Sequence, residues 1–164
     1  ITVPALVVFF TVYYLMKTYL DKQYQLRALE YKQNQSNLTV PSRLQAYERL
    51  SLFCERIAVP SLMLRLREDN QSNAALRMAM LLTIQQEFEY NITQQVYVSD
   101  QLWQIIKISR DNTVLDINGL YEQVDPKGPS KELATVLLSQ TESQSANSLN
   151  MALSAIKKEA AILM

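Results

Sequence analysis

The sequence predicts an all-α protein: an N-terminal transmembrane helix with a stalk, followed by an antiparallel bundle of four to five helices. Three observations carry this expectation. Apolar residues recur at spacings of three and four along most of the chain, the period of a helix with one buried face. Only 2 Gly occur in 164 residues, few for a turn-rich β architecture. The first sixteen residues, ITVPALVVFFTVYYLM, carry no charge at all.

Those sixteen residues form the first element. As a helix they would cover about 24 Å, somewhat less than the roughly 30 Å hydrocarbon core, so a few upstream apolar residues would complete a span. Val7, Val8, Phe9 and Phe10 lie in its middle. Tyr13, Tyr14 and Tyr19 gather at its end, where amphipathic rings favour the headgroup level. A core helix should show a polar stripe, and almost none occurs between Ala5 and Met16. A secretory signal should end in a small-residue cleavage site, and the sequence after the run has none.

Lys17, Lys22, Arg27 and Lys32 flank the run against Asp21 and Glu30. The positive-inside rule then places the C-terminal side of the span in the cytoplasm. Removing these charges from the totals of 16 basic and 16 acidic residues leaves 12 and 14, so the body is slightly acidic. The helix is expected to continue to Lys32 as a stalk. Tyr13, Leu20, Tyr24 and Tyr31 recur at steps of 7, 4 and 7, within about 20° of one helix face. Leu20, Tyr24 and Tyr31 make that row a candidate contact face for a partner; the chain's own domain folding back is the other covering.

Residues 33–41 contain the polar run NQSNLTVP and read as a linker, leaving 1–32 as membrane helix and stalk and 42–164 as the bundle. Ser42 with Gln45 has capping-box spacing, which predicts a helix start. Leu50, Phe53, Cys54 and Ile57 are its apolar face. Pro60 should break this helix near Val59, with a short helix resuming over 61–68 and a polar turn at EDNQSN. From Ala74 a long helix carries Leu76, Met80, Leu81, Ile84, Phe88 and Ile92. Ser99 and Asp100 cap a further helix, or the chain bends there. The next stripe is Leu102, Trp103, Ile106, Thr113, Ile117, Leu120 and Val124, stopped by DPKGP. Ser130 then opens a last helix towards Ile162, with Leu138, Ser145, Leu149, Ala152, Ile156, Ala160 and Leu163 aligned.

Composition removes most chemistry. With no His, the commonest general base and metal ligand is missing, and the di-iron bundle motif cannot be written. A single Cys gives no internal disulfide and no thiolate zinc cage. Zero net charge argues against nucleic acid. The run 111–122 has acids at the ends of a possible calcium loop, but Leu115 and Asp116 occupy positions needing a ligand and a Gly. Cys54 lies on an apolar face and reads as core. Arg65, Arg67, Arg77, Lys107 and Arg110 read better as scattered solvated charges than as an anion site. Amides crowd 85–104 and the last helix, mostly as solvated faces, with a neutral docking surface as the sharper alternative.

The segments LQAYERLSLFCERIAVPSLMLRL and QQEFEYNITQQVYVSDQLWQIIK resemble small single-pass membrane proteins of uncharacterised function from Bacteroidota-type bacteria. The resemblance implies a bacterial inner-membrane setting and no functional residue.

The expected function is a membrane-anchored accessory or scaffold subunit, not an enzyme, with no cofactor and no metal. Val7, Val8, Phe9, Phe10, Tyr13, Tyr14, Lys17 and Tyr19 would meet lipid and its interface, and the protein would dock on a larger inner-membrane complex, with other membrane protein subunits as partners, through its transmembrane helix and helical domain. The alternative is a ligand-sensing domain whose apolar pocket is lined by Met80, Phe88 and Trp103.

Overall fold

A computed structural model gives the backbone of residues 2–140 and 143–163, with side-chain surroundings for 12–25, 27, 40–140 and 143–163. The described chain is all helical. In order it holds α1 (Thr2–Ile57), α2 (Val59–Leu66), α3 (Asn73–Asn91), a 3₁₀ helix (Ile92–Tyr97), α4 (Asp100–Tyr121), α5 (Ser130–Ser139) and α6 (Gln144–Ala161). It divides into two units, 1–41 and 42–164.

Three expectations about boundaries need correction. Residues 33–41 are not a coil, because α1 passes through them with Pro41 inside the helix. The run contains no Gly. One Pro removes a single donor and crowds one carbonyl, which a long helical ladder can tolerate. Ser42 therefore caps nothing, since the turn before it already supplies most of the carbonyls that its neighbours need. The last helix is also two helices. α5 stops at Ser139, and Ser143 starts α6 afresh by accepting the Ala146 N–H at 3.1 Å. A second cap comes from α4, where Asp116 accepts the Ser145 N–H at 2.8 Å. The break resets the helical phase: Leu133, Ala134 and Leu137 are α5's buried apolar residues, and Leu138 is turned out.

Other boundaries obey local chemistry. Ala58 takes extended backbone (φ −58°, ψ 136°), ending α1, and Pro60 sits in the first turn of α2, where its missing N–H would be unpaired anyway. Arg65 on α2 reaches back to the Arg56 carbonyl at 2.6 Å. Arg56 and Arg65 straddle Glu87 of α3 at 2.7 and 3.6 Å, fixing the α1–α2 corner. Ser72 and Ser99 cap α3 and α4 by accepting from Ala75 and Leu102.

The core of the 42–164 unit is built from Tyr47, Leu50, Phe53, Cys54 and Ile57 of α1 together with Leu76, Met80 and Ile84 of α3. Leu102, Ile106 and Ile117 of α4 join them, with Leu133 of α5 and Leu149 and Ile156 of α6. Phe53, Phe88 and Trp103 form a ladder, with ring centroids 6.2 Å and 5.5 Å apart. α4 packs along α6. Ser109 stands 2.9 Å from both the Ile105 and Ser148 carbonyls, so its one hydroxyl proton is shared across that seam.

Candidate functional site

The structure places the candidate interface residues in the first unit. Tyr13 is 60% exposed, Tyr14 71% and Tyr19 62%. Leu20 is 45% exposed and Tyr24 71%, and Lys17 is exposed too. Their polar contacts are local: Thr18 donates to the Tyr14 carbonyl, and Gln23 donates to the Tyr19 hydroxyl. The side chains of Val7, Val8, Phe9, Phe10 and Tyr31 lie outside the described residues. Among the described residues no helix is long and apolar enough to cross a membrane. From Val12 onward the helix soon meets Lys17, Asp21, Lys22 and Arg27.

What stands out is the order of exposure. Val12, Tyr13, Tyr14, Leu15 and Met16 are each more than half exposed. Five successive residues at about 100° per step sweep the whole circumference of a helix. A helix packed on one neighbour buries one stripe; this stretch has no covered side and no polar side.

The residues with reactive chemistry are committed to the fold. Cys54 is 1% exposed, and burial pushes its thiol up to about 12, with Glu55 adding a repulsive charge. Such a thiol is an inert core group. Three of the five cations considered as an anion site are engaged by separate partners. Arg65 pairs with Glu87, Arg77 donates to Asn118 and stacks on Tyr121, and Arg110 pairs with Asp111 over the Phe88 ring. Residues 111–121 are helical, within α4.

Met80, Phe88 and Trp103 do not form the expected pocket. Met80 is fully buried, Phe88 is 8% and Trp103 7% exposed, and the two rings stack in the core. The open space lies elsewhere. A cleft of about 470 Å³ is lined by Pro60, Met63 and Leu64 of α2, Arg67 just beyond it, and Ala134 and Leu138 of α5. A second cleft, of about 150 Å³, shares Pro60 and Leu138 with it and reaches Leu120, Leu137 and Leu149.

Two polar residues escaped the sequence reading. Glu159 accepts from the Ser99 N–H at 2.8 Å, the Ser99 hydroxyl at 2.7 Å and the Tyr47 hydroxyl at 3.1 Å. Arg43 lies 3.6 Å from it and donates to the Tyr97 carbonyl, so four segments of the second unit meet there. Burial, together with the hydrogen bond to Glu159 and its charge, raises the Tyr47 phenol above its ordinary range. Asn73 is fully buried and ties the loop before α3 to the loop before α5. The signal for Asn73 was its place directly after Ser72, a helix-start position.

No curated protein and no solved structure matches the chain. The model of a family of unknown function, DUF7935, matches residues 1–163, and the chain belongs to that family.

Proposed function

We propose that the protein is a membrane-anchored accessory or scaffold subunit. The run 1–16 holds it in the bacterial inner membrane, and residues 42–164 form a cytoplasmic docking body. The single observation supporting this reading is the turn Val12–Met16, more than half exposed at every residue, which continues an uncharged apolar run. Apolar surface on every side of one helix suits lipid, which can cover the whole circumference. The tyrosines at 13, 14 and 19 then stand at the headgroup level, with Lys17, Lys22 and Arg27 on the cytoplasmic side. Leu20 and Tyr24 offer the row against which another membrane subunit would pack.

In this reading the body's role is positional. Purification of the tagged full chain in mild detergent tests it. A membrane protein should co-purify in stoichiometric amount and be lost from a Leu20→Ala/Tyr24→Ala variant. Recovery as a clean monomer, or release from membranes by alkaline carbonate, would overturn the proposal.

A further inference from the structure

We propose that the cleft between α2 and α5 binds a single-chain amphiphile with an anionic head group. The inference rests on residues of the 42–164 unit alone and stands independently of the membrane anchor. Its floor is apolar and tightly held: Met63 is 5% exposed and Ala134 2%. Its lips are apolar and wet, Leu64 being 90% exposed and Leu138 51%. Two leucines facing water across one concave surface lose favourable burial that a bound hydrocarbon would restore.

The volume of about 470 Å³ falls within the range of small-ligand sites. The inner cleft shares Pro60 and Leu138 and adds Val59, Leu137 and Leu149, an apolar wall for an alkyl chain, with Asp116, Gln140, Ser143 and Ser145 making up its polar part. A protein partner would need a contact of about 800 Å² per side. The neighbours Glu68, Asp69, Lys131 and Thr135 are polar and exposed, so the apolar surface ends at the rim of the cleft.

Charge selects the head group. Arg67 is the one charged residue lining the outer cleft. Among the described residues its acid partner is Asp69, 3.8 Å away and 97% exposed, a pairing too solvated to hold the guanidinium. Arg65, two residues earlier, is committed to Glu87 and the Arg56 carbonyl and is not available in the same way. A guanidinium at the mouth of an apolar slot fits a carboxylate or phosphate in bidentate geometry. A fatty acid and a lysophospholipid both present that chemistry.

The full-length protein in zwitterionic nanodiscs, photolabelled with a diazirine fatty acid and mapped by mass spectrometry, tests the assignment. Label should concentrate on peptides carrying Met63–Leu64 and Ala134–Leu138. Excess laurate should compete if the head is a carboxylate, and excess dodecyl phosphate if it is a phosphate. Arg67→Gln and Leu138→Asp, both at exposed positions, should each cut cleft labelling at least fivefold while leaving the melting temperature unchanged. Label confined to residues 1–16, equal competition by dodecyltrimethylammonium, or full labelling of Arg67→Gln would overturn the proposal.

Discussion

Tyr24 and Tyr47 stand on the same helix, yet the first is 71% exposed and the second 3%. Around Tyr47 the apolar residues, Leu52 apart, keep to one side: Ala46, Leu50, Phe53, Cys54 and Ile57 are buried, while Glu48, Glu55 and Arg56 are exposed. Around Val12–Met16 the apolar residues take every side. One stripe selects a packed protein neighbour; a full circumference selects a medium. In the proposed reading the same backbone geometry serves two solvents, and side-chain order decides which.

The largest effect should come from charging the middle of the apolar run. If the run spans a bilayer as proposed, Val8→Arg together with Phe9→Arg would cost about 5–7 kcal/mol of insertion free energy, at about 2.5–3.5 per charge near a bilayer centre. The variant should leave the membrane fraction on alkaline extraction, and the melting of residues 42–164 should not change. Retention in the membrane would erase the contrast between the two stretches of α1.

Core truncation comes next. Phe53→Ala removes the ring that meets Phe88 in a layer that is otherwise closed. The expected loss is about 3–5 kcal/mol by chemical denaturation. Tyr24→Ala, on the exposed part of the same helix, should change that denaturation by less than about 0.5 kcal/mol. Equal effects would mean that Tyr24 packs against the body after all.

Alkaline pH probes the same buried stripe. The Cys54 thiol rises from an ordinary 9 to about 12 in the folded chain. Its stabilising contribution is complete below pH 9 and is lost as pH climbs through 12, because the unfolded chain gives up the proton first. Stability should fall by up to about 1.4 kcal/mol per pH unit over this window. Tyr47, also raised, adds a loss of the same sign above 10. Cys54→Ala should therefore flatten the decline without abolishing it. An unchanged slope would show that the thiol is not held protonated by burial.

Much of this contrast was legible from residue order. The face Leu50, Phe53, Cys54 and Ile57 is buried, and so is the stripe Leu102, Trp103, Ile106, Thr113, Ile117 and Leu120. Pro60 ends α1 where its ring dictates, and Ser99 caps α4. The errors fell where local signals compete. A Pro and several amides read as a linker at 33–41, but α1 runs through them, its turns on both sides absorbing a cost of about 3 kcal/mol at Pro41. The α5–α6 break was hidden because Leu138 and Ser145 keep helical phase across a segment that is not one helix. The apolar cleft was misplaced onto Met80, Phe88 and Trp103 because large residues at helical spacing indicate burial without saying what fills the space. Long-range polar partners such as Glu159 with Ser99 leave no trace in spacing at all.

Asn73 gives a smaller expected effect than the core truncation and the sharpest test of where the body's stability resides. α5 begins after Pro129, which has no side-chain acceptor for the helix's first N–H groups. Asn73 supplies one from a distance, accepting the Leu133 N–H at 3.2 Å through its amide oxygen. Its side-chain nitrogen donates to the Asp125 carbonyl at 2.8 Å and to Glu132 at 3.3 Å. Its backbone N–H donates to the Gly128 carbonyl at 2.9 Å. Asn73→Ala keeps that last bond and strands the Leu133 donor inside the protein, while the Asp125 carbonyl still accepts the Gly128 N–H at 2.9 Å. Leaving buried polar groups unpaired costs about 1–3 kcal/mol. Denaturation should therefore shift by that amount, and hydrogen exchange at the start of α5 should quicken, while membrane extraction stays as in the unaltered chain. Unchanged exchange at Leu133 would mean that water reaches the loop and takes over the cap, so the two loops would not be held by this amide.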